Sequence, residues 1–185
     1  GSLELSVSSP KAYDGAFRAT ANLEQGPALP SLSGAINFDR INSETLLSDI
    51  SSRFRVAGAA TGEMQFRSAG NNFADITSLL SGRVKVQISE GSIAGLDIVQ
   101  ALDLVQSRPL SIPDRIRYGS TPIVNARIAA TIKDGQLTFQ DTTIDSGTIQ
   151  SAVTGDIFLP TRQLNLTIMS TRTPGEKTGI QASLS

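Results

Sequence analysis

From Ile128 to Ile168 the chain alternates almost without a break, and this period of two constrains the fold more than any other feature. Ile128, Ala130 and Ile132 fall on one side of an extended backbone, with Ala129 and Thr131 on the other. Leu137 and Phe139, then Ile149 and Val153, then Leu164, Leu166 and Ile168 continue the pattern. Alternation of this kind marks strands with one apolar face. The interruptions are turn signals: Asp134-Gly135, Ser146-Gly147 and Pro160-Thr161-Arg162. Asp-Gly supplies the positive φ that a two-residue hairpin requires. The stretch reads as a meander of about four antiparallel strands.

The rest of the chain follows the same grammar. "LELSVS" and "KAYDGAFRATANL" form a strand pair turning at Asp14-Gly15, "EQGPALPS" connects, and "SLSGAINF" is another strand. "SETLLSDIS" has Leu46, Leu47 and Ile50 at helical spacing, with Ser43 as its expected N-cap. Two strands are expected around "FRVAG" and "TGEMQFRSA". Val84, Val86 and Ile88 then alternate with Arg83, Lys85 and Gln87, and Glu90-Gly91 is read as a turn. Asp97 and Gln100 make a capping box ahead of the stripe Ile98, Val99, Leu102 and Val105, a helix that Pro109 ends. "SLSGAINF" and "LLSGRVKV" echo one another, which suggests an internal repeat over about 13–70 and 71–168 within one domain spanning 3–185. Gly1-Ser2 is read as a cloning remnant, and the chain as a piece of a longer protein.

The expected architecture is mainly β: a large curved antiparallel sheet with two short amphipathic helices. A helix from Asp97 to Gln106 is about 15 Å long at 1.5 Å per residue. A sheet of about nine strands is about 40 Å wide. Two short helices cannot cover it, so the sheet either folds over itself as a sandwich or curls into a trough with an apolar interior. Ile128, Ile132, Leu137, Phe139, Val153, Leu164, Leu166 and Ile168 are the candidate lining of that interior.

Composition removes most other functions. With 16 Lys+Arg against 17 Asp+Glu the net charge is −1, and no nucleic-acid partner is expected. His and Cys are absent, which removes Ser-His-Asp and Cys-His nucleophiles and the common zinc sites. No P-loop pattern occurs, and the glycine pairs Gly58/Gly62 and Gly91/Gly95 read as backbone bulges rather than phosphate cradles. Asp141, Asp145 and Asp156 are the carboxylates an acid/base or calcium site would use, but turn aspartates ordinarily cap backbone amides. Arg53/Arg55 and Arg115/Arg117 each set two cations on one strand face, which reads as a solvated face, with an anionic headgroup contact as the alternative. Asn165-Leu166-Thr167 matches the glycosylation sequon, a common chance match. No catalytic, cofactor or metal residue is expected.

Several stretches together resemble the C-terminal part of AsmA-family proteins. They are Tyr13-Asp14-Gly15, "LPSLSGAINFDRINSETLLSDI", "LLSGRVKVQISEGSIAGLDIVQAL" and "TPIVNARIAATIKDGQLTFQDTTIDSGTIQSAVTGDIFLP". The most specific piece is Leu80-Ser81-Gly82 through Glu90-Gly91-Ser92-Ile93-Ala94-Gly95-Leu96-Asp97. The resemblance covers about Tyr13 to Ile168 and implies a bacterial envelope protein, tethered to the inner membrane and projecting into the periplasm. It implies phospholipid as the partner, conducted along an apolar β-sheet trough in outer-membrane biogenesis, and carries no catalytic residues. The competing reading is a packed β-sandwich that serves as a structural or interaction scaffold. A carboxylate-based hydrolase is the weakest. Unpaired edge strands would also let the chain associate with itself.

Overall fold

Two-residue turns set the strand order from the first hairpin onward. In the computed structural model, which describes residues 1–26, 29–50, 55–95, 97, 100, 119–172 and 177–184, Ala12 pairs with Gly15 across Tyr13 and Asp14. Both turn residues have positive φ, 52° and 64°. The turn is therefore Tyr13-Asp14, one residue earlier than expected. Gly15 serves a different need: a β carbon there would fall 2.4 Å from the Asp39 carbonyl oxygen. At Asp134-Gly135 the expected hairpin forms, with φ of 48° and 74° and Lys133 opposite Gln136.

Among the described residues ten strands result: β1 (Ser2–Ala12), β2 (Gly15–Glu24), β3 (Ser31–Asn42), β4 (Val56–Ala69), β5 (Ser81–Ala94), β6 (Ser120–Lys133), β7 (Gln136–Asp145), β8 (Ile149–Phe158), β9 (Gln163–Arg172) and β10 (Lys177–Leu184). They form one antiparallel sheet in sequence order, β1 to β10. The sandwich is thereby corrected: every strand pairs with its sequence neighbours, and the sheet is a single open layer with β1 and β10 at its edges.

Two expected breaks fall inside continuous strands. "FRVAG" and "TGEMQFRSA" belong to one strand, β4, and Glu90-Gly91 lies within β5 rather than at a turn. There the register shifts by one residue opposite Gly58, with Glu90 at φ 53° and Gly58 at φ 140°. Corresponding shifts occur in β1 after Ser9, in β3 at Arg40 (φ 50°) and in β7 at Asp141 (φ 44°). Hydroxyls satisfy the displaced amides: Arg40 N–H donates to Thr61 Oγ1, and Ala129 N–H to Thr142 Oγ1. A bulge bends its strand and sharpens local twist. Bulges on four alternate strands therefore coil the sheet instead of leaving it flat.

Helix α1 (Ser43–Ile50) connects β3 to β4, and α2 (Phe73–Ser78) connects β4 to β5. The expected N-cap of α1 shifts by one residue. Asn42 Oδ1 accepts from the Glu44 and Thr45 amides, while buried Ser43 donates its hydroxyl to the Val56 and Gly58 carbonyls. Ser43 thus ties the helix to β4 rather than capping it. Helix α2 was not expected, because six residues carry too little periodicity; Asn72 caps it by accepting from Asp75 N–H. The expected helix at 97–106 lies outside the described residues apart from its cap, where Asp97 Oδ1 accepts from Gln100 N–H at 2.9 Å.

Candidate functional site

Residues directly opposite in antiparallel strands point to the same face, so the registers sort the whole sheet into two surfaces. Leu5, Ala21, Gly34, Phe66, Gly82, Ile132, Leu137, Ile157 and Leu164 form one unbroken row from β1 to β9. The next row on that face is Val7, Ala19, Ile36, Met64, Val84, Ala130, Phe139, Gly155 and Leu166. Neither row contains a polar side chain. A third begins Phe17, Phe38, Gly62, Val86, Ile128 and continues past the β7 bulge through Thr142, Val153 and Ile168. On the opposite face, Ser6, Thr20, Ala35, Gln65, Arg83, Thr131, Thr138, Asp156 and Asn165 make an almost wholly polar row.

All eight candidate lining residues lie on the apolar face, with Ile132 and Val153 buried and Ile128, Leu137, Phe139, Leu164, Leu166 and Ile168 half-buried. The sequence reading left out their partners on β1 to β5, among them Phe17, Ile36, Phe38, Met64 and Phe66, which the same alternation identifies. The glycines in these rows make room for rings. A β carbon on Gly62 would fall 2.7 Å from Phe38 Cζ, and one on Gly34 the same distance from Phe66 Cζ. The Leu-Ser-Gly echo acquires a local reason as well, since Gly34 and Gly82 flank Phe66 from either side.

Cover over this face is uneven. Under α1, Leu46 packs on a closed cluster of Ile41, Ala60, Ile88, Ile123 and Ala126, with Ile41 at 0% exposure. Toward β1 the face is open: Leu3, Leu5 and Val7 are 64%, 60% and 48% exposed. Between these limits most of it is half-buried. Polar groups that fall on it are neutralised pairwise, as where the buried Ser151 and Ser170 hydroxyls bond at 2.7 Å. Five shallow depressions of about 380 to 660 Å³ are floored chiefly by residues of the polar face.

The carboxylates singled out in the sequence are not brought together. Asp145 accepts from the Gly147 amide at 2.8 Å, and Asp156 accepts from the Thr138 hydroxyl at 2.6 Å. Asp145 lies opposite Gln150, six residues along β8 from Asp156, a separation of about 20 Å in a strand. Among the described residues no group of three or more His, Cys, Asp or Glu is placed to hold a metal, and no helix is long and apolar enough to cross a membrane. Arg53, Arg115 and Arg117 lie outside the described residues. The structure moves the titration of Tyr13, whose hydroxyl donates to Asp49 on α1 at 3.0 Å. This hydrogen bond, with lesser contributions from desolvation and the Asp49 charge, raises the phenol above its ordinary pKa.

Compared with known proteins, the chain matches the model of the AsmA family over residues 1–142. No curated protein and no solved structure matches it.

Proposed function

Since the chain belongs to the AsmA family, whose setting is the cell envelope and outer-membrane biogenesis, we propose that its apolar sheet face handles phospholipid acyl chains in the periplasm. The observation that carries this reading is the pair of rows running from Leu5 to Leu164 and from Val7 to Leu166 without a polar side chain, on a sheet with no second sheet layer among the described residues. An apolar surface of that extent is ordinarily buried in a core or reserved for an apolar partner.

The energetics suit conduction. Moving an acyl chain into water costs about 0.8 kcal/mol per CH₂, so a chain of about 16 carbons faces on the order of 12 kcal/mol. A half-buried surface of Ile, Leu, Val, Met and Phe removes most of that barrier. It need not bind lipid more tightly than a bilayer does, because matching the bilayer is sufficient for transit. In this reading the protein performs no covalent chemistry, and the full-length molecule is tethered to the inner membrane.

Native mass spectrometry tests the proposal. The purified protein should carry phospholipid masses that collisional activation releases, and lipid-stripped protein should regain them from phospholipid vesicles. Folded protein that neither retains nor takes up phospholipid would overturn the reading. Asp141→Asn, Asp145→Asn and Asp156→Asn should each leave this uptake unchanged.

A further inference from the structure

The polar face carries a second feature, independent of whether the apolar face takes lipid. Ser81 at the start of β5 has Arg67 directly opposite on β4, and on its other side Lys133 follows Ile132, the β6 partner of Gly82. Arg83 stands two residues along β5, on the same face as Ser81. It is therefore the diagonal neighbour of both other cations, at a spacing of about 7–8 Å that long side chains easily bridge. Three cations thus surround one serine.

Among the described residues no ion pair balances them. The residues directly opposite Arg83 are Gln65 and Thr131; the outer neighbours of Arg67 and Lys133 are Ser33 and Gln136. Among the described residues no carboxylate lies within ion-pair distance of any of the three, although Asp134 borders the same depression. The next row shows the alternative, where Lys85 faces Glu63 and pairs with it at 3.4 Å. Like charges on neighbouring strand positions are destabilising, so this cluster costs the fold something that a Lys85–Glu63 arrangement would not.

Its polar surroundings are mostly donors, with the Asp134 carboxylate the exception. The depression is about 660 Å³ and is bordered by Gln65, Ser81 and Thr131 as well as the three cations. Ser81 Oγ accepts from the Asp134 amide at 3.3 Å, which leaves its own O–H to donate. Two guanidiniums, an ammonium, two hydroxyls and an amide around one hollow match an oxyanion with several acceptor oxygens. We infer that this rim of the polar face is a binding site for a phosphate group, taken either from an anionic lipid headgroup or from a free phosphate ion. Acyl chains on the apolar face and a phosphate here are separated by the sheet itself, so the two sites report independently.

The test uses the whole chain and two probes. Inorganic phosphate is titrated while the amide resonances of Ser81, Arg83 and Thr131 are followed, and vesicles of phosphatidylglycerol or of phosphatidylcholine are sedimented with the protein. A headgroup site gives binding to phosphatidylglycerol vesicles over phosphatidylcholine; a free-ion site gives saturable shifts with phosphate alone. A basic residue near an anionic surface contributes about 1 kcal/mol, or about five-fold in affinity. Arg83→Gln should therefore weaken vesicle binding about five-fold, and the Arg67→Gln, Arg83→Gln, Lys133→Gln triple variant about a hundred-fold. Relief of like-charge repulsion should leave the melting temperature of Arg83→Gln unchanged or raised. Lys11→Gln, Arg18→Gln and Arg127→Gln together remove the same charge elsewhere and should retain binding. Equal losses in that control, wild-type binding by the triple variant, or no response to either probe would each overturn the site.

Discussion

Gly62 and Gly34 are the positions where a single carbon atom has the clearest consequence. Each sits beneath a phenylalanine ring from the neighbouring strand, Phe38 over Gly62 and Phe66 over Gly34, in a reciprocal pair across β3 and β4. Covering a strand glycine with a cross-strand ring restores the apolar contact that the missing side chain would have made. A methyl group at Gly62 would meet not only the ring but the Lys85 carbonyl oxygen at 2.5 Å. The ring can rotate, but the backbone oxygen cannot move without disturbing the ladder. Gly62→Ala should lower stability by about 1–3 kcal/mol, as overpacking does, read as a lower urea midpoint at unchanged slope. Turn residues show how far a sequence speaks at this scale. Asp-Gly marks a hairpin at Tyr13-Asp14-Gly15 correctly, yet aspartate itself takes the positive φ and the glycine is spent on the approach to Asp39. Propensity fixes the neighbourhood of the turn; the third strand decides its frame.

Among the elements, strands were legible and helices much less so, for a physical reason. A strand's period of two survives bulges, so β6 to β9 could be traced from residue type alone. Glycine marked the bulge at Gly58 and Gly91, although Glu90-Gly91 also imitates a turn, whereas the bulges at Arg40 and Asp141 carry no such mark. A helix of eight residues offers two turns of pattern, and its ends depend on tertiary partners that the sequence does not display. At α1 two adjacent polar residues compete for the N-cap, and the structure gives them different work. Asn42→Ala should cost about 1 kcal/mol, as the loss of a cap does. Ser43→Ala removes the one O–H that the Val56 and Gly58 carbonyls share in a buried place and should cost about 1–3 kcal/mol. Equilibrium denaturation of the two variants ranks them. The other attachment of α1 is titratable. With the folded-state pKa of Tyr13 raised above its unfolded value, the bond to Asp49 stabilises fully below about pH 10 and is lost as pH rises through the folded pKa. Asp49→Asn should move the Tyr13 absorbance titration to lower pH in a Tyr118→Phe background.

At the scale of the molecule the decisive property is that one sheet layer has two unlike faces and two free edges. Which face is apolar follows from alternation, but whether it closes into a sandwich does not, because both outcomes use the same pattern; strand order settled it. The open β1 edge bears exposed Leu3, Leu5 and Val7, and an unpaired edge with apolar side chains templates pairing. Light scattering should show association at high concentration, and Leu5→Lys should restore the monomer; a strict monomer throughout would refute this. The sharper test sets one substitution at two places on the same face. Ile41 is fully buried beneath α1, in the cluster that helix closes. Ile41→Arg strands a charge there with no partner, at a cost of several kcal/mol, against a total stability of about 5–15 kcal/mol for a domain. That variant should unfold or aggregate. Leu166 lies on the same face in β9, opposite Gly155, but is only half-buried. A guanidinium there can run its methylenes along the sheet and keep its head in water. Leu166→Arg should therefore fold, with a modest drop in melting temperature, while phospholipid uptake fails because the acyl path now carries a charge. If both variants unfold alike, the face at Leu166 is a closed core; if Leu166→Arg folds and still takes up lipid normally, β9 is no part of the path.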